Sequence, residues 1–371
     1  MTPSPPLGAG LSATIRARLS EAFALDVAIS VPAGVTILFG ASGSGKSTVL
    51  RAVAGLIRPD AGAITIGSHV VFDRLRGLDV PTRERRVGYV FQHLALFPHL
   101  SVEDNLAYGL HGDDPDTRRH KIRSIAASFK IDHLLARRPG AISGGERQRT
   151  ALARSLVTDP AALLLDEPLS ALDHATQSRI IDDLRRWNAA HQIPILYVTH
   201  SHREVFALGD RVIVLDNGTV MAAGTPYDVL EMPEQASLAS LAGFENVLDA
   251  TVIARKAEAG TMTCRVGDSS DSGVELEVPL ARGPAGSSTQ IAIRAGDILL
   301  ATEPPRGLSA RNILRGRLTS LTRDGAAMVA GVDAGARFIV HLTPSAAGGL
   351  GLTPGQDVWL VIKTYSCRVA A

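Results

Sequence analysis

The stretch GASGSGKST at residues 40–48 limits what this chain can fold into more than any other. It fits the pattern G-x-x-x-x-G-K-[ST] from Gly40 to Ser47, follows the apolar run VTILF at 35–39 and opens the helix-like segment KSTVLRAVAGLI. A strand, a glycine-rich turn and a helix in that order make a phosphate cradle. Gly40, Gly43 and Gly45 let backbone N–H groups close around an anion, with Ala41, Ser42 and Ser44 between them, and the helix offers the anion its positive end. Lys46 is then expected to reach β/γ-phosphates, and Ser47, with Thr48 alongside, to ligate Mg²⁺.

A cradle of this kind needs an α/β layer around it, and the sequence supplies one. Strand-like runs LDVAIS, AITIG, VGYVFQ, ALLLD, ILYVTH and VIVL are interleaved with helix-like GERQRTALARSLV and ATQSRIIDDLRRWNAA, the alternation of a mostly parallel sheet. Residues of about 93–160 read as a helical insertion, and VIVLDNGTVMAAG as a hairpin turning at Asn217-Gly218. Beyond Asn246 the texture becomes short β-runs with Gly, Ser and Pro turns, the pattern of a small all-β domain. ENVLDATV with IAIR and RNILRGRL with LVIK suggest an internal duplication there. The 371 residues exceed the roughly 250–300 that one core usually serves, so two domains are expected: 11–240 after a Pro/Gly-rich tail at 1–10, and 245–371.

A net charge of +1 gives no case for a nucleic-acid partner. Two cysteines, Cys264 and Cys367, are too few for a disulfide framework and read as packed thiols in a reducing compartment. MTPSPPLGAG carries no signal-peptide pattern, and no apolar run approaches the ~18 residues of a membrane span, so a cytoplasmic protein is expected.

ALLLDEP at 162–168 is an apolar strand ending in two carboxylates. Downstream of a phosphate loop, Asp166 is placed to hold Mg²⁺ through water and Glu167 to orient and deprotonate an attacking water. ISGGERQR at 142–149 sets a glycine pair before a helix, SALD follows at 170–173, Gln92 ends VGYVFQ and His200 ends ILYVTH. These five elements in one order resemble the ATP-binding-cassette ATPases over about residues 11–240. The resemblance implies a head-to-tail homodimer in which Ser143, Gly144 and Gly145 meet the γ-phosphate held by the other chain. It further implies that Gln92 joins the Mg²⁺ shell, that His200 holds the γ-phosphate and catalytic water, and that Asp173 bridges the two ATP sites.

The chain departs from the family in two places. Glu146 stands where many signatures have Gln, and Ala17 occupies the usual spacing of the adenine-stacking aromatic. Phe23, the nearest ring, reads as a core strand residue within LSEAFALDV. RERR at 83–86 reads as a solvated turn, and RIIDDLRRW as an amphipathic helix face.

FQHLALFPHLSVEDNLAYGL resembles the importer branch, in which this segment adjoins an insertion that receives a helix from a membrane permease subunit. SARNILRG, LTPSAAGGLGLTPG and VIKTYS, over about 307–369, resemble the small molybdate-binding domains fused to molybdate-importer ATPases. The implied role is the ATP-hydrolysing subunit of a molybdate importer, peripheral on the cytoplasmic face of the inner membrane, fed indirectly by a periplasmic oxyanion-binding protein. Ser309, Arg311, Asn312, Ser345 and Lys363 supply hydroxyl, guanidinium, amide and ammonium donors for molybdate or tungstate. Two readings stand beside it: an importer of sulfate, sugar or polyamine, and a molybdate sensor or store that does not transport.

Overall fold

VTILF becomes the strand Gly34–Phe39, buried at every position after the first, as expected of a strand covered on both faces. The computed structural model describes residues 10–110, 112–230, 236–267, 273–281 and 283–370, and the chain divides between Pro226 and Tyr227 into two compact units. Among the described residues of the first unit, eleven strands share one sheet. Arg211–Asp216, Gly34–Phe39, Pro194–Val198, Ala162–Asp166 and Val87–Val90 are neighbours in that order and all run parallel. The rest of the sheet is a wing of antiparallel pairs built on Leu11–Arg18, Ala24–Val31 and Ala61–Ile66, joined to the parallel part through Thr219–Gly224, which runs parallel to Ala24–Val31. The sheet is therefore mixed. Central strands such as Ala162–Asp166 are buried throughout, whereas Leu11–Arg18 alternates buried and exposed positions because only one of its faces is covered.

The expected insertion contains helices Val102–Ala107 and Pro115–Ser128 and leads into Gly144–Leu156, here called the signature helix. Asp183, buried on the helix His174–His191, ties these parts together. Lys130 at 3.0 Å, Arg149 of the signature helix at 3.2 Å and Arg186 all pair with it. The face RIIDDLRRW thus packs around a charged hub, which an amphipathic pattern does not reveal.

RERR also differs from its expected solvated turn at one position. Arg85 is buried, and its guanidinium donates to the carbonyls of Ala52 and Val53, each at 2.9 Å, and pairs with Asp79. These carbonyls lie in the last turn of the helix Lys46–Ala54, where Arg85 caps Val53 and joins the C-cap Gly55 N as a second donor to Ala52. The Asn217-Gly218 turn has φ of 44° and 79°, both left-handed as a type I′ turn requires.

Among the described residues of the second unit, two five-stranded sheets share one core. The strand order Val274–Pro279, Thr261–Val266, Asn246–Lys256, Ser288–Ile293 in one sheet repeats as Arg337–Leu342, Ala327–Asp333, Asn312–Asp324, Asp357–Ile362 in the other. The fifth strands are exchanged. Leu299–Ala301, which ends the first repeat, pairs with Asp357–Ile362 of the second, and Arg368–Ala370 pairs with Ser288–Ile293 of the first. Two asparagines at matching places fasten the repeats together. Asn246 exchanges hydrogen bonds with backbone N and O of Ile339 at 2.6 and 2.9 Å, and Asn312 does so with Glu277 at 2.7 and 2.9 Å. The suggested duplication is thus a physical pair of interlocked modules. Cys264 and Cys367 lie buried in their common core, where burial pushes the thiols up to about 11 and about 12, leaving neither with thiolate at neutral pH.

Candidate functional site

The phosphate loop spans the end of strand Gly34–Phe39 and the start of helix Lys46–Ala54. Gly40 has φ of 150°, and a Cβ there would sit 2.1 Å from the Leu215 carbonyl oxygen, so only glycine fits against the neighbouring strand. At Gly43, φ is 83° and a Cβ would meet nothing within 4 Å, which leaves the mouth of the loop open to a ligand. Lys46 donates to the Gly40 and Ala41 carbonyls at 3.0 and 2.7 Å and to Ser44 Oγ at 3.4 Å. Burial lowers its ammonium below the usual lysine range, and the charges of Glu167 and Asp166 oppose that shift. Ala41 and Ser42 are exposed on the loop, and Ser47 and Thr48 lie in the first helical turn.

Ser47 Oγ donates to Asp166 Oδ1 at 2.8 Å, and Tyr89 donates its hydroxyl to Asp166 Oδ2 at 3.3 Å. Burial, then the Asp166 charge, raises the Tyr89 phenol far above its usual range, so it stays a donor. Glu167 has φ of 44°, a left-handed conformation that costs a non-glycine residue about 1–3 kcal/mol and is held by Glu167 N donating to the Val198 carbonyl at 3.1 Å. Its carboxylate meets His200 Nδ1 at 3.2 Å and Gln92 Nε2 at 3.5 Å. Lys46, Ser47, Asp166, Glu167, Gln92 and His200 therefore converge, as their order along the chain implies.

Ser143, Gly144 and Gly145 do not join this cluster. Ser143 caps the signature helix and bonds Glu146, a Cβ on Gly144 would meet Leu172, and one on Gly145 would meet Thr176. Asp173 caps the helix His174–His191, accepting from Ala175 N and Thr176 N at 3.0 Å each, and Thr176 holds its carboxyl below the usual carboxylate range.

Three neighbours of the site were not placed there by the sequence. Tyr89 is one. The second is the hairpin turn, whose Gly218 N donates to the Ser44 carbonyl at 3.2 Å while its own carbonyl accepts from Asp26 N at 2.8 Å, bracing the phosphate loop. The third is Phe23, which is not a core strand residue. It precedes the strand Ala24–Val31, is half-buried, and places its ring 3.2 Å from where a Gly45 Cβ would stand. Ala17 is buried within Leu11–Arg18.

In the second unit, Ser309, Arg311 and Lys363 are exposed, and the pairing Asn312↔Ile362 sets Arg311 and Lys363 at the same end of their strands. Asn312 drops out of the donor set. It is buried, its amide oxygen takes Glu277 N, and its NH₂ group is occupied by the Glu277 carbonyl and Cys367 Sγ. Ser345 lies on Pro344–Gly349, beyond the end of the sheet marked by Leu342↔Met328 and Met328↔Arg323, the opposite end from Asn312. One chain does not gather Ser345 with Arg311 and Lys363.

The model of the ABC transporter family matches residues 25–170, and that of the TOBE domain matches 308–369. The molybdenum import ATP-binding protein ModC of Rhizobium etli is 39% identical over 347 residues, 93% of this chain and 96% of that protein. The chain belongs to the molybdenum import ATP-binding proteins. ModC of Brucella abortus, another member, is 36% identical over 368 residues and covered to 98% on both sides. The structure described as the dimeric structure of MJ0796, a bacterial ABC transporter cassette, superposes with a TM-score of 0.51 at 25% identity, over 58% of this chain and 98% of that one. In this member of the family, the TOBE match covers only the second of the two interlocked modules, while strand order extends the same plan to Asn246–Ala301.

Proposed function

We infer that the chain is the ATP-hydrolysing subunit of a molybdate importer. It works as a head-to-tail homodimer beneath a membrane permease, to which a periplasmic binding protein delivers the oxyanion. The convergence of Ser47, Asp166, Glu167, Gln92 and His200 at one end of the phosphate loop carries the ATPase reading. The ATP phosphates lie along the loop, whose N–H groups and Lys46 hold them. Glu167, oriented by His200 and Gln92, takes the proton of the attacking water. Hydroxyl, amide and carboxylate oxygens of Ser47, Gln92 and Asp166 form a hard-donor set suited to Mg²⁺. When bound there, the ion would neutralise charge between β- and γ-phosphate oxygens. No helix of the described residues is long and apolar enough to cross a membrane.

Phe23 takes the place of the adenine platform. Stacking a base on an aromatic ring is worth about 1–3 kcal/mol, so Phe23→Ala should raise KM for ATP about tenfold with kcat little changed. An unchanged KM removes Phe23 from the site.

The C-terminal donors support an oxyanion cargo. Arg311 and Lys363 of one chain supply the charge for a tetrahedral dianion, and Ser345 of a second copy supplies a hydroxyl, with Ser309 beside Arg311. Sulfate is smaller and leaves donors unpaired. In cells lacking their own importer ATPase, the chain with its permease should restore molybdate uptake that excess sulfate does not suppress. Calorimetry on the full chain should show molybdate binding that Arg311→Ala loses. Uptake that sulfate, a sugar or a polyamine competes away overturns the cargo, and molybdate binding without any uptake favours a sensor or store.

A further inference from the structure

The signature helix begins with a reciprocal cap. Glu146 N donates to Ser143 Oγ at 3.4 Å, while Glu146 Oε2 accepts from Ser143 N at 2.7 Å and from Ser143 Oγ at 2.9 Å. Both donors that Ser143 owns are thereby occupied by one carboxylate oxygen. The two Ser143 bonds, backbone first, hold that carboxyl below the usual carboxylate range, so it is ionised at neutral pH. It also lies at the positive end of a thirteen-residue helix, which stabilises a negative charge there.

These are the attractions that a γ-phosphate arriving from the other chain would use. We propose that Glu146 is a built-in competitor for Ser143, a carboxylate that must leave the signature before the ATP-bound dimer can close. The inference rests on the cross-chain role given to Ser143 above. Glu146 is only partly buried, so its side chain can swing into water without disturbing the core. Closing the dimer then costs two broken charge-assisted hydrogen bonds per site and brings one carboxylate near the phosphate. Glutamine keeps an acceptor for the cap but removes the charge, so it yields more readily to phosphate. The effect is a threshold: the cassettes stay apart until ATP is abundant, or until the permease draws them together.

The test is the ATP-dependent dimerisation constant of the full chain, measured by light scattering in a Glu167→Gln background that blocks turnover. A unit charge removed about 4 Å from a phosphate oxygen in water-like surroundings corresponds to about fivefold per site, or about 25-fold for a dimer with two sites. Glu146→Gln should tighten the dimer by that order. Glu146→Ala should also tighten it, although losing the cap lowers its melting temperature. A purely structural cap predicts the reverse for Glu146→Ala, a less stable helix and a weaker dimer. Unchanged or weaker dimerisation in both variants overturns the proposal. Ser143→Arg in the same background separates the two layers. If it abolishes the dimer while Glu146→Gln does nothing, the competitor is wrong and the cross-chain role stands. If Ser143→Arg dimerises normally, both fall.

Discussion

Glu167→Gln should lower ATP turnover by about 10² to 10⁴, the range for loss of a positioned general base, while leaving ATP binding intact and collecting the chain as an ATP-bound dimer. The expectation comes from geometry. Glu167 is held in a left-handed backbone conformation beside Asp166, with His200 at 3.2 Å and Gln92 at 3.5 Å directing its two oxygens. The amide can keep the Gln92 and His200 contacts but cannot accept a proton. Lys46→Ala separates binding from chemistry. It removes the buried ammonium that now bonds the Gly40 and Ala41 carbonyls, so nucleotide affinity itself should fall. Single-turnover hydrolysis with isothermal binding distinguishes the two variants. A Glu167→Gln chain that hydrolyses ATP at the wild-type rate contradicts the assignment.

What the sequence disclosed and what it withheld divide along physical lines. The phosphate loop, the carboxylate pair and the hairpin were legible because each is fixed by local spacing: glycines where φ must be positive, carboxylates at a strand end, Asn-Gly at a type I′ turn. The repeat was visible in ENVLDATV and RNILRGRL, but the exchange of final strands was not, since a strand's partner is chosen by tertiary packing. Arg85 sits in a charge run that looks solvated and Asp183 on an amphipathic helix face, and only the fold shows one bonding the end of the phosphate-loop helix and the other under three cations. Phe23 looks like core because it is an aromatic next to an alternating strand, whereas it ends a turn beside Gly45. Asn312 is the opposite case: a polar residue near Arg311 looks like a ligand donor, yet both ends of its amide are occupied between strands.

Ser143→Arg should abolish hydrolysis although Ser143 bonds nothing in its own chain's phosphate loop. A guanidinium at the N-terminus of the signature helix opposes the positive end of that helix and fills the space a γ-phosphate would need. The claim beneath the whole account is that Ser143 acts on a nucleotide held by Lys46 of another chain, and one measurement reaches it directly. Ser143→Arg chains and Lys46→Ala chains, each inactive alone, are mixed and their ATP hydrolysis is followed as the ratio is varied. A heterodimer has one site with intact Lys46 from one chain and intact Ser143 from the other, and one site with both lost. Hydrolysis should reappear on mixing and be greatest near equal amounts. Activity that stays at the level of the separate variants at every ratio, or a Ser143→Arg homodimer that hydrolyses ATP unaided, would contradict it.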